Sequence, residues 1–214
     1  SGETNGSYGI GGTIPVVVSF INGVGGAAEN VNLNSGTFDI TLATGAGSIV
    51  SISSDWNGST ATGDYVVAVN DVSDKLSVSG LAIGGAGTVT DRYGNAMSAT
   101  PAIPGGANLD DSKSFKIDGV RPTIATITSS SPDNPVGTPA GTPYGIGDDI
   151  NITITFSEQV VLATSSLDLV LSSGKTISVP AFTPAALTKQ VTYTVAEGEH
   201  TNLLEVTGSP TLAA

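Results

Sequence analysis

Apolar and polar residues alternate with a period of two at intervals along the chain, and no window carries the 3.6-residue period of a helix. Ile14, Val16, Val18 and Phe20 alternate with Thr13, Pro15, Val17 and Ser19, which predicts a strand with one apolar face. Phe38, Ile40 and Leu42 predict the next strand. Ile49–Ile52, Tyr65–Val69 and Leu76–Val78 predict three more, followed by a short one near Val89 and one over 113–118. The second half continues the pattern at Ile124–Ile127, at Ile150, Ile152, Ile154 and Phe156, at Leu167–Leu171, and from Tyr193. Residues 1–12 read as a polar lead-in, 22–36 as a long Gly-rich loop and Asp55–Gly63 as a turn around Trp56. Strands about ten residues apart with turn residues between them predict an all-β sandwich or barrel.

The pattern is written twice. Tyr8-Gly9-Ile10-Gly11 returns as Tyr144-Gly145-Ile146-Gly147, each time ahead of a turn and an alternating strand. Phe38-Asp39-Ile40-Thr41-Leu42 matches Leu167-Asp168-Leu169-Val170-Leu171. Tyr193–Gly208 aligns without a gap on Tyr65–Gly80, pairing Leu204 with Leu76 and Val206 with Val78. The offset falls from 136 at Tyr144 to 129 at Asp168 and 128 at Tyr193, so the extra length of the first copy belongs to the loop 22–36.

Two tandem domains are therefore expected, 1–118 and 119–214, with a short linker near 119–122. The first copy lacks a counterpart of the 123–128 strand, and the second lacks counterparts of the Asp91–Asn95 loop and the 113–118 strand. That leaves the Ile14–Phe20 strand at a sheet edge, where Pro15, without an N–H, is tolerated. Open edges seek pairing. Two readings follow: the chain is an excerpt of a longer array, or a neighbouring subunit supplies the missing strand.

Composition narrows the classes of partner. Nineteen acidic against seven basic residues give a formal net charge of −12, which opposes nucleic acid and anionic membrane. Charged residues are only 12% of the chain, but 39% hydrophobic residues suffice for cores. Cysteine is absent, and no apolar run reaches the roughly 18 residues of a membrane helix. The opening Ser1-Gly2-Glu3 suggests a processed or excerpted chain.

The string Ile117-Asp118-Gly119-Val120-Arg121-Pro122-Thr123-Ile124, the run Tyr144–Val161 (YGIGDDINITITFSEQVV) and the loop Asp91-Arg92-Tyr93-Gly94-Asn95 resemble the Ig-like repeats of bacterial and archaeal surface proteins. The resemblance covers nearly the whole chain and implies two tandem immunoglobulin-like β-sandwich domains. It implies an extracellular structural segment, an S-layer or adhesin stalk, that spaces or assembles neighbouring repeats. A filament subunit joined by donor-strand pairing and a module binding surface glycan or protein are the alternatives. The first copy departs from the pattern, with Gly12 at the position of Asp148 and Asn22 at that of Glu158.

Calcium is the cofactor expected for such repeats, since linker acids can supply the oxygen ligands this cation takes. Asp91, Asn95 and Asp118 are the expected ligands in the first domain, with Glu158 from the second. Asp-X-X-Gly-Asn is equally a good turn in its own right. Catalysis is not expected: the one histidine, His200, lies in a Glu-Gly-Glu-His turn, and Ser172-Ser173-Gly174-Lys175 reads as a hairpin turn. Trp56, Tyr93 and Tyr144 could stack on a glycan or cap a core.

Overall fold

The computed structural model describes residues 4–23 and 26–213, so the opening Ser1–Glu3 and part of the loop expected over 22–36 lie outside it. The chain is all-β apart from one helical turn, and none of its described helices is long and apolar enough to cross a membrane. It divides into two compact units, Ser1–Arg121 and Pro122–Ala214, with the division inside the linker expected at 119–122.

The first unit begins with β1 (Gly6–Gly9), β2 (Thr13–Ser19), β3 (Val31–Leu33) and β4 (Thr37–Leu42). It continues through β5 (Ile49–Ser53), β6 (Trp56–Gly58), β7 (Thr60–Val66), β8 (Val72–Ser73) and β9 (Val78–Gly84). β10 (Val89–Asp91), the helical turn α1 (Leu109–Ser112) and β11 (Phe115–Asp118) complete it. Three of these correct the sequence reading, the first being β3, which places Val31–Leu33 as a strand inside the loop expected over 22–36. The stretch 1–12 is not all lead-in, because Gly6–Gly9 pairs in parallel with Phe115–Asp118. The expected turn at Asp55–Gly63 is mostly strand: Asp55, at φ 67, turns and Ser59 bends, while Trp56–Gly58 is β6 and Thr60 begins β7.

One layer of this unit runs β1–β11–β8 and continues along the chain into β9–β4–β5. The Leu76 N–H donates to Phe115 O, and the Ala43 N–H donates to Ser77 O, tying the two halves. The facing pair is β2–β7, in register from Thr13 opposite Val66 to Ser19 opposite Thr60. Alternation explains the core, since Ile14, Val16, Phe38, Ile40, Leu42, Phe115 and Ile117 all turn inward and are buried. Gly63 lets the layers close: a Cβ there would sit 2.5 Å from Val50 Cγ1. Among the described residues β2 pairs only with β7, which is the open edge expected from Pro15.

The second unit holds β12 (Ile124–Ser129), β13 (Asp149–Leu162), β14 (Ser166–Val170), β15 (Thr176–Val179), β16 (Phe182–Thr194) and β17 (Thr211–Ala213). Its sheets run β12–β13–β16 and β15–β14–β17. The repeat is visible in backbone hydrogen bonds. The Gly11 and Gly147 N–H groups donate to Val67 O and Val195 O, and the Val67 and Val195 N–H groups donate to Gly12 O and Asp148 O. Ile152, Ile154, Leu169, Leu171 and Tyr193 form a second, separate core.

Candidate functional site

Each unit carries one polar corner at matching positions, buried in the first and half-buried in the second. In the first, Asp71 is 1% exposed and accepts from Tyr65 Oη at 2.8 Å, from Ser48 Oγ at 2.8 Å and from the Ala68 N–H at 3.0 Å. In the second, Glu199 accepts from Tyr193 Oη at 3.0 Å and from the Ala196 N–H at 2.9 Å, and Lys175 Nζ lies 3.6 Å away. The three residues differ by 128 in each case, the same offset as the gapless alignment. The strand supplies the tyrosine, the turn after it supplies the carboxylate, and the pair pins that turn to the sheet.

Burial pushes the Tyr65 hydroxyl well above its ordinary value, and the neighbouring Asp71 carboxylate adds to the rise. Burial alone would raise Asp71 as well. The hydrogen bonds from Ser48, Ala68 and Tyr65 outweigh it and hold the carboxyl below the usual range. Tyr193 is likewise raised by burial, and Glu199 is lowered, first by the Ala196 N–H. A tyrosine held protonated against a committed carboxylate is a structural clamp rather than an acid–base pair.

The residues expected to bind metal are not gathered in one place. Asp91 and Asn95 do meet: Asp91 Oδ1 accepts the Tyr93 and Asn95 N–H groups, each at 2.8 Å, and Oδ2 accepts Asn95 Nδ2 at 2.7 Å. Gly94 at φ 85 closes this turn, and its hydrogen bonds, led by the Asn95 amide, lower the Asp91 pKa. Asp91 pairs with Val31, beside the Phe20 end of β2. Asp118 pairs with Val72 and Gly9, at the Thr13 end. A seven-residue strand separates them by about 20 Å, so the trio Asp91, Asn95 and Asp118 is not one site. Glu158 is half-buried on β13 in the second unit. Among the described residues no group of three or more His, Cys, Asp or Glu is placed to hold a metal.

Asp91 already accepts three N–H donors, and among the described residues no group of three or more His, Cys, Asp or Glu surrounds it to complete the oxygen shell of calcium. A ligand that binds only the native state raises its melting temperature. The expected result is that calcium, then chelator, leaves the melting of the first unit unchanged, as followed by circular dichroism. A reversible rise would restore calcium at this loop.

The aromatic residues divide. Trp56 packs on Phe20 with centroids 5.4 Å apart and belongs to the edge of the core. Tyr144 donates to Pro132 O at 2.9 Å. Tyr93 is 72% exposed, with the Arg92 guanidinium 4.5 Å above its ring. His200 is exposed, as its flanking residues predicted.

Sequence reasoning missed a groove of about 510 Å³ in the second unit. Strand β12 walls one side of it, Leu204, Glu205 and Val206 the other, and Ile150 and Leu171 floor it. Ile150 and Leu204 are half-buried, whereas their counterparts Ile14 and Leu76 are fully buried.

No family model, curated protein or solved structure matches this chain.

Proposed function

We propose that the chain is a structural segment of an extracellular surface protein, of S-layer or adhesin-stalk type, whose two units are Ig-like β-sandwiches acting as spacers and assembly modules. The observation that carries this reading is the repeated Tyr–carboxylate corner, the same clamp at the same offset in two separate cores. A duplicated sheet unit with a pinned turn suits resistance to extension better than it suits chemistry on a substrate. Neighbouring repeats are the natural partners, and the −12 charge keeps such an array soluble.

Pulling the chain by its ends in a force microscope tests the proposal. Two separate unfolding steps are expected, each releasing roughly 30–45 nm at about 3.6 Å per residue. A single merged step, or extension without a force peak, would remove the spacer reading. Protease shaving of intact source cells tests the location, with release of this segment expected.

A further inference from the structure

We infer that Asn57 is the acceptor of an N-linked oligosaccharide, delivered from a polyprenyl-diphosphate donor. The inference rests on the extracellular reading above, because acceptor triplets of this kind are used in exported chains. The triplet Asn-X-Ser/Thr occurs three times, as Asn5-Gly6-Ser7, Asn57-Gly58-Ser59 and Asn151-Ile152-Thr153. In a chain this rich in Ser and Thr, the triplets alone decide nothing. The residue two places before each one does. It is Glu3, Asp55 and Asp149 in turn, whereas none of the other nine asparagines has an acid at that place. With 19 acids among 214 residues, such a match at all three triplets and nowhere else is not a product of composition.

The spacing has a physical meaning. In an extended chain, residues two apart project from the same face. An acceptor segment drawn out in an enzyme groove therefore shows Asp55, Asn57 and Ser59 together: a carboxylate, the reacting amide and a hydroxyl. A groove with a cation at one end and a hydrogen-bond partner for the hydroxyl at the other reads all three at once.

The fold selects among the triplets. Asn57 is exposed on β6, a three-residue strand at the edge of its sheet, paired with β3. Exposed Asp55 turns before it at φ 67 and Ser59 bends after it, so the segment is short and bounded on both sides. Its Nδ2 donates to Oδ1 of Asn32 in an exposed pair, a bond that water replaces at little cost. Asn151 stands in β13, between β12 and β16, where its Oδ1 accepts from Thr192 Oγ1 at 3.2 Å. The hydroxyl of that triplet, on Thr153, accepts from Gln190 Nε2 at 3.4 Å. Asn5 is exposed, but its Oδ1 accepts the Ser114 N–H at 2.9 Å, and Glu3 lies outside the described residues. Only Asn57 combines the acid, exposure and a strand edge that lifts without breaking into a sheet.

In the transfer, Asn57 Nδ2 bonds to the anomeric carbon of the first sugar as the bond from that carbon to the diphosphate oxygen breaks. The polyprenyl diphosphate leaves with the electron pair, and one Nδ2 proton passes to a base of the transferase.

The test recovers the chain from the surface of its source cells and reads its proteolytic peptides by mass spectrometry. An oligosaccharide is expected on Asn57 and none on Asn151. Asn57→Gln and Ser59→Ala should abolish it, and Ser59→Thr should retain it. Asp55→Asn, which keeps a residue type tolerant of positive φ, should lower occupancy about tenfold by removing one charged contact. Asn57 recovered bare or merely deamidated, or glycan on Asn151 but not on Asn57, overturns the inference. Unchanged occupancy in Asp55→Asn overturns the role of the acid. A chain recovered from the surface with bare Asn57 leaves the spacer reading standing, whereas a chain absent from the surface removes both.

Discussion

Replacing Asp71 by alanine is expected to lower the stability of the first unit by about 3 kcal/mol, because the change strips a charged acceptor from buried donors. The Tyr65 hydroxyl and the Ala68 N–H both point at this carboxylate, and neither has water to turn to at 1% exposure of Asp71. For a unit of this size the loss corresponds to a fall in melting temperature of roughly 10–20 °C. The pH profile gives the signature. Asp71 has a depressed pKa in the fold, so its contribution is present above the ordinary carboxylate value near 4 and is lost as pH falls below it. Tyr65 is raised, so its contribution is complete below the ordinary tyrosine value near 10 and is lost as pH climbs above it. Asp71→Ala should flatten the acid limb of the first unit's stability curve and only soften the alkaline one, since burial is the larger cause of the Tyr65 rise. A steep acid limb that survives in the variant would show that the corner does not hold the turn.

This corner was written in the sequence, but in a form that period-two reading cannot decode. The gapless match of Tyr193–Gly208 on Tyr65–Gly80 already set Tyr65, Ala68 and Asp71 over Tyr193, Ala196 and Glu199. The signal that would have found it is a carboxylate six residues after a strand tyrosine in both copies, although one copy uses Asp and the other Glu. The strands themselves were legible wherever one face is apolar, as at Ile14–Phe20 and Leu167–Leu171. Gly6–Gly9 was not, because its two glycines and one serine carry no alternation and its strand character comes from a parallel partner more than 100 residues away. The expected metal ligands lie apart for a related reason. Spacing along the chain says that Asp91 and Asp118 are both in turns or at strand ends. Only the antiparallel course of β2 and β7 decides that those ends are opposite ones.

Phe115→Ala is expected to cost the first unit about 3–5 kcal/mol, the range for deleting a fully buried aromatic ring. Its ring meets Tyr8 edge to face at 5.5 Å, and it closes the core that Leu76 and Ile14 floor. Truncating it would open in the first unit the groove that the second unit already has. The repeat supplies an internal control at Leu76 and Leu204, equivalent positions that differ in cover. Leu76→Ala, from 0% exposure, should cost about 2–5 kcal/mol, and Leu204→Ala, half-exposed at the groove wall, markedly less. Denaturant unfolding of the three variants measures the difference. Equal costs at Leu76 and Leu204 would mean that the second core is as closed at this position as the first.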